Sequence, residues 1–377
     1  MIREILSRLK IRKPKPVIRL KGGAPSRGCV AISYLTWPFI VGLDEGKMRG
    51  HTNAYEVMEM ARAFQEQGFW VEVCDWDNTE YNPPSDCRIA IDIHGNLERW
   101  DKVLPKACLR VLHATGPHWL SYNRGELDRI ASIRDRRGVV LTPWRQVTPS
   151  KGVEVADKAT VLGNEYTIET FAFAGKPFTR IPISSAYELP WPERRDIAEA
   201  KKRFLWVGSF GMVQKGLDLV LEAFAHMPEL ELTVCGRPEK ENDFFRLYEK
   251  ELKRMPNIRL HGWLDMGKDD FLKISETHAS VVYPGSGEGG AGSVIHCMHA
   301  GMVPVCTRET SVDLMDFGVL IKEGSVEAVQ TACRDFAAMT DQEVEIRALK
   351  SYEHARRVHT REQFAKNYRA FALDIIK

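Results

Sequence analysis

Tyr283-Pro-Gly-Ser-Gly-Glu-Gly-Gly-Ala-Gly-Ser-Val-Ile-His-Cys-Met-His-Ala-Gly-Met-Val-Pro304 is the stretch on which the fold turns. The apolar run from Ala279 to Tyr283 reads as a strand. Gly285, Gly287, Gly289, Gly290 and Gly292 then leave the backbone almost bare. A helix follows, with Ser293 in the N-cap position and Val294, Ile295 and Met298 on one face. Gly301 stops it, and Val303-Pro304-Val305 starts the next strand. Bare amides beside a helix start form an anion site, because the amides can approach a phosphate and the helix end carries partial positive charge. Glu288 stands at the mouth of that site, where a phosphate would repel it. A carboxylate there has a role if it faces a sugar or another hydroxyl-rich group beside the phosphate.

The same strand, loop and helix grammar extends in both directions. In the second half, strands are expected at Phe204 to Val207, Leu230 to Cys235, Ile258 to His261 and Ser280 to Tyr283. Lys215-Gly216 precede a helix with Leu217, Val220, Leu221 and Phe224 on one face, and Phe244 to Met255 reads as another helix. In the first half, strands are expected from Cys29, Phe69, Ile89, Leu109, Val139, Ala159 and Thr179, with a helix from about Thr52 to Gln67. Strand-helix-strand alternation predicts an α/β protein with parallel sheets. The expected organisation is a basic arm over 1–27, a Rossmann-like domain over 28–185, a second over 200–355 and a C-terminal helix over 356–377 that crosses back to the first domain. Two such domains put a cleft between them, facing the carboxyl ends of the strands.

The chain has 377 residues, with 44% hydrophobic and 28% charged residues, which suits a globular protein of two domains. No run approaches the roughly 20 apolar residues of a membrane span, and no apolar segment of a leader follows the basic start. The eight cysteines form no CxxC pair and several lie in apolar runs, so reduced core residues and a cytoplasmic location are expected. The net charge of +2 conceals nine Lys/Arg and one acid in residues 1–27, which leaves the rest at −6. Nucleic-acid binding is not expected, since it would place the basic charge on a folded face. Ile2, Ile5, Leu6 and Leu9 with the surrounding cations suggest instead that residues 1–13 rest on an anionic membrane surface.

With Val207-Gly208-Ser209, Lys215-Gly216-Leu217-Asp218, Leu232 to Gly236, Ile258 to Gly262 and Pro284 to Gly301 in this order, the second half resembles the donor-binding domain of retaining GT-B glycosyltransferases of family 4. The resemblance covers about 150 residues; the first half matches more loosely, through the Gly-rich loop before Thr52, through His113 and through Ala156 to Asn164. It implies that Lys215 neutralises the donor diphosphate and that Glu288 faces the transferred sugar. Gly208, Ser209, Gly236, Arg237, Gly289, Gly290, Gly292, Ser293 and His296 would bind the nucleotide sugar. His113 matches the strand-end histidine against the donor sugar. On the acceptor side, His51, Asn53, His118 and Trp119 could line the cleft. Two departures stand out: His296 takes the place of the family's second glutamate, and Ser209 that of its arginine. The phosphate site is one cation short unless Arg237 or a protonated His296 supplies it.

The expected reaction is therefore transfer of a sugar from a nucleotide-diphosphate sugar to a hydroxyl of a glycan or lipid-linked saccharide, with retention and with no metal or other cofactor, in the EC 2.4 class. Asp75-Trp76-Asp77 is the metal triplet of another glycosyltransferase architecture, but its place after the second strand of a βαβ unit makes it a loop coincidence. The competing expectations are a nucleotide-sugar epimerase of the same fold and a degenerate, non-catalytic binding partner. A dehydrogenase is weaker, because no GxGxxG follows the first strand of either half.

Overall fold

The computed structural model describes residues 15–23, 26–41 and 50–377. Seven strands form the first sheet: β1 (Val17–Leu20), β2 (Cys29–Tyr34), β3 (Trp70–Asp75), β4 (Cys87–Asp92), β5 (Leu109–Ala114), β6 (Lys158–Val161) and β7 (Phe178–Arg180). They lie in the order β1-β3-β2-β4-β5-β6-β7, parallel except for β1. The second sheet holds β8 (Arg203–Val207), β9 (Glu231–Cys235), β10 (Ile258–Gly262), β11 (Ser280–Tyr283), β12 (Val303–Thr307) and β13 (Val319–Ile321), all parallel. Their order is β10-β9-β8-β11-β12-β13. All six residues of β2 and all four of β11 are buried, as strands covered by helices on both faces must be. This is the two-lobed α/β architecture expected from the alternation, and all eight cysteines are free and buried.

The closing helix Arg361–Ile375 does return to the first lobe. Phe364, Tyr368 and Phe371 share a core with Val57 and Phe64 of the helix Thr52–Gln65. The closing helix thus forms part of the first-lobe core.

Four local expectations are corrected. Val17–Leu20, placed in the basic arm, is an edge strand running antiparallel to β3; Ile18 and Leu20 pack on the core and Arg19 pairs with Glu72 at 2.7 Å. A charge count over 27 residues hides that short apolar strand. The amphipathic stripe of residues 1–13 lies outside the described residues. Val139 to Leu141 form no strand: Gly138 ends the helix Trp119–Arg137 in a left-handed turn, φ 69°, and the next segment runs over the second lobe. Phe244 to Met255 is two helices, Asn242–Leu247 and Glu249–Arg254. They meet at Tyr248, whose buried hydroxyl donates to Glu222 at 2.7 Å. Ser293 is not an N-cap; its hydroxyl donates to the Val207 carbonyl at 3.2 Å.

The helix Trp119–Arg137 matters most for the site, because it belongs to the first lobe in sequence and packs on the second. Ile130, Ile133 and Leu141 join the second-lobe core. Arg136 reaches Asp218 at 2.9 Å and Glu222 at 3.1 Å, Arg137 reaches Glu251 at 2.7 Å, and Arg129 donates to the Pro284 carbonyl at 3.2 Å. Arg129 and Asp218 are both buried, so these contacts are screened little and fix how the lobes meet. In the segment between the two domains, Arg195 donates to three second-lobe carbonyls, those of Ser275, Ala300 and Gly301, at 2.8, 2.7 and 2.5 Å.

Candidate active site

Lys215 and Glu288 meet at the centre of the interlobe cleft. The ammonium lies 2.8 Å from the Glu288 carboxylate and donates to the Tyr283 hydroxyl at 2.8 Å. Each residue is 8% exposed. Two neighbouring strands of the second sheet, β8 and β11, and the loops that follow them build this centre. Tyr283 ends β11 and its ring stacks on Trp206 of β8, with centroids 6.3 Å apart. Trp206 donates through Nε1 to the Lys215 carbonyl at 3.1 Å, which holds the lysine stem over the aromatic floor. Burial alone would push the Glu288 carboxyl up, but Lys215 and then Arg145 outweigh it and hold it below the usual carboxylate range. Burial pulls Lys215 down, and the Glu288 carboxylate opposes that pull.

A cavity of about 490 Å³ opens beside the pair. Gly208, Ser209, Lys215, Glu288, Gly292, Ser293 and His296 line its second-lobe wall, and His51 and Thr52 line its first-lobe wall. The helix Gly292–His299 starts there without a side-chain cap, so its first amides lack partners within the helix. Most of the glycine loop is less available. The amides of Ser286, Glu288 and Ala291 are bonded to the carbonyls of Gln214, Glu309 and Thr310. Gly289 packs on the first lobe so tightly that a Cβ would lie 2.0 Å from the Thr115 carbonyl oxygen. Gly290 faces Gly163 and Ser311. These two glycines thus serve the contact between the lobes, and Gly292 and Ser293 are the ones at the large cavity.

The remaining expected residues divide in the same way. His118 and Trp119 line a smaller chamber of about 230 Å³ on the far side of Glu288, which Thr115, Tyr122 and Arg145 also line. His51 and Asn53 line a third recess with Glu56. Gly236 is buried behind Gly208, and Arg237 stacks over the exposed Trp263 ring at 4.5 Å, at the rim of the large cavity. His113 does not reach any of these spaces. It is fully buried in β5, between Tyr34 and Tyr368, with Nδ1 2.7 Å from the Thr160 hydroxyl. Burial lowers it to about 4, so it is a neutral core histidine. The strand runs one residue further than the motif suggested, and the turn after it delivers His118 instead.

His296 cannot supply the missing cation. Burial lowers it to about 4. Its Nδ1 lies 2.7 Å from the Gly292 carbonyl and its Nε2 accepts from the Ala186 amide at 3.0 Å. Both nitrogens are engaged: Nδ1 within its own helix, Gly292–His299, and Nε2 in holding Ala186 against that helix. Arg145 and Tyr122 were missed by the motif reading, because they sit outside every recognisable segment. Arg145 follows the Val139 to Leu141 stretch, and only the packing of the helix Trp119–Arg137 on the second lobe brings it to Glu288. The carboxylate of Asp75 accepts from the amide and the hydroxyl of Thr36, both at 2.8 Å, which makes it a loop cap. Among the described residues, no three His, Cys, Asp or Glu side chains are grouped to hold a metal.

Known proteins resemble this chain in the sequence of its second lobe and in the fold of both. Residues 201–338 match the family model for glycosyl transferases group 1. The structure is similar to the alpha,alpha-trehalose 6-phosphate synthase of Burkholderia multivorans, at 11% identity over 93% of this chain and 99% of that one, with a TM-score of 0.58. It is similar to WaaG, a glycosyltransferase involved in lipopolysaccharide biosynthesis, at 15% identity over 90% and 98% of the two chains, TM-score 0.53. It is also similar to S. aureus TarM in complex with UDP, at 14% identity and TM-score 0.52, where the match covers 75% of this chain and 55% of TarM. No curated protein matches it in sequence. The sequence of residues 201–338 is thus similar to glycosyl transferases group 1, in a chain with the two-lobed GT-B fold.

Proposed function

We propose that the protein transfers a sugar from a nucleotide-diphosphate sugar to a hydroxyl of a glycan or lipid-linked saccharide, with retention and without a metal. The observation that carries this reading is the Lys215–Glu288 pair at the wall of a cavity that also receives an uncapped helix start. The nucleotide would occupy the 490 Å³ cavity, with its diphosphate on the Gly292 and Ser293 amides and on the Lys215 ammonium. Charge developing on the leaving diphosphate meets fixed donors in a water-poor site, where they count for most. Glu288, 2.8 Å from Lys215, is placed to accept from hydroxyls of the transferred ring. Tyr283, whose burial pushes its hydroxyl well up, stays a neutral donor beside both. The acceptor would approach from the chamber under His118 and Trp119.

Nucleotide sugars should protect the protein against thermal unfolding, and Lys215→Ala should require much higher concentrations for the same protection. Turnover then separates the readings: transfer to an added acceptor supports a transferase, and epimer formation from donor alone supports an epimerase. One observation favours a non-catalytic nucleotide binder, namely that both ring nitrogens of His296 are engaged in structural bonds. Protection by UDP without turnover of any donor would establish that reading. No helix among the described residues is long and apolar enough to cross a membrane. Residues 1–13 would bring the enzyme to an anionic membrane surface carrying lipid-linked acceptors. Unchanged sedimentation with anionic vesicles after their deletion would refute that.

A further inference from the structure

Beyond Glu288 the small chamber holds a charge that the reaction above does not use. Arg145 is positioned with care. Glu126 accepts from its backbone amide at 3.0 Å, and its Nε donates to the Tyr122 hydroxyl at 2.8 Å. Its stem lies across Gly211, where a Cβ would sit 2.3 Å from Arg145 Cγ. Both terminal nitrogens, by contrast, make no hydrogen bond and no ion pair among the described residues. The carboxylate that faces them, Glu288, already has Lys215 at 2.8 Å. Lys215, Arg145 and Glu288 sum to one positive charge, and the Glu126 carboxylate is occupied by the amides of Trp144 and Arg145 and by Gln146, so the outer edge of the guanidinium is left to the chamber wall. A second group there also lacks a partner: His118 is 9% exposed and its Nε2 is unbonded.

We propose that this chamber takes an acceptor saccharide carrying an acidic group, a carboxylate or a phosphate, with the acid seated on the two free nitrogens of Arg145. The inference rests on the transferase reading for the role of the bound sugar, but not for its binding. A guanidinium fixed through Nε presents its outer edge to an oxyanion in a fork, which suits either acid. Trp119 at the chamber wall offers an aromatic face to the sugar ring, and His118 Nε2 lies where a ring hydroxyl would need a partner. Near neutral pH, a neutral sugar would leave the guanidinium desolvated and unmatched, so the site selects by charge as well as by shape.

The test is thermal unfolding of the full chain with saturating UDP, titrated with methyl glucuronide, glucose 6-phosphate and methyl glucoside. The acidic sugars should protect wild type at concentrations at least about tenfold below those needed for the neutral one. Arg145→Gln should lose that difference while keeping its UDP shift, which shows that it is folded, and Arg145→Lys should recover part of it. The proposal is overturned if acidic and neutral sugars protect alike, or if the preference survives in Arg145→Gln. It is also overturned if the Arg145-dependent preference appears only between UDP-glucuronate and UDP-glucose, because that would put the acid on the donor. A missing UDP shift in wild type would count against the transferase reading alone, since acidic-sugar binding is read separately.

Discussion

Replacing Lys215 by alanine tests the pairing at the centre of the cleft in two currencies. Glu288 is 8% exposed, so the change strands a buried carboxylate. Breaking a buried ion pair by removing one partner costs about 3–5 kcal/mol. Arg145 remains nearby and lowers Glu288 through its charge, so the lower end, about 3 kcal/mol, is expected. Binding of a nucleotide diphosphate should suffer separately. A charge-assisted contact contributes about 2–3 kcal/mol, which converts to roughly 30-fold to 150-fold weaker UDP binding. Glu288→Gln should behave in the opposite way. It leaves the Lys215 ammonium buried without its anion, and the diphosphate supplies one, so UDP affinity should hold or rise. Calorimetric titration of UDP into both variants, with urea unfolding alongside, measures the two effects. The double variant Lys215→Ala, Glu288→Gln should regain most of the stability lost by Lys215→Ala. Equal UDP affinity in wild type and a folded Lys215→Ala protein would refute the reasoning.

Four further outcomes follow from the packing. Glu56 is buried and accepts from the amide and hydroxyl of Ser184, both at 3.1 Å, and burial raises it from 4.5 to about 7. The folded state then holds a proton that the unfolded state has lost, so stability should fall by about 3 kcal/mol as pH rises from 4.5 to 7. Urea unfolding should show a flatter profile for Glu56→Gln over that window, and parallel profiles would contradict this. His296 is neutral above pH 5, so UDP affinity should show no His296 titration near neutrality; a midpoint at about 6.5 that vanishes in His296→Gln would contradict it. His296→Ala should still cost about 1–3 kcal/mol by leaving the Ala186 amide unpaired, read by thermal unfolding. Phe364→Ala should destabilise the first lobe by about 3–5 kcal/mol although it lies in the last helix, and a smaller loss than 1 kcal/mol would show that helix to be dispensable.

How much of this was legible in the sequence depends on the distance over which each feature is encoded. The strands and the second-lobe site were readable because they are local. Apolar runs, glycine stops and the spacing from Lys215 to Glu288 follow from chain-adjacent chemistry. The meeting of those two side chains at 2.8 Å follows from β8 and β11 being neighbours in the sheet. Arg145 was illegible because its position depends on a long-range event, the packing of a first-lobe helix on the second lobe through Ile130, Ile133 and three arginines. His113 misled for the opposite reason. A histidine near a strand end looks the same in sequence whether it faces the cleft or the core, and here Tyr34 and Tyr368 enclose it. Tyr283 was visible as the last residue of its strand. Its bond to Lys215 could have been anticipated, since the side chains at strand ends line the cleft. The edge strand Val17–Leu20 was hidden by the cations around it.

The most direct test of the central claim is a crystal structure of the protein with a non-hydrolysable nucleotide-diphosphate sugar. Diphosphate oxygens are expected within hydrogen-bonding distance of the Gly292 and Ser293 amides and of Lys215 Nζ, with the sugar ring against Glu288. A diphosphate bound elsewhere, or a ring turned away from Glu288 with Lys215 still paired to it, would contradict the account.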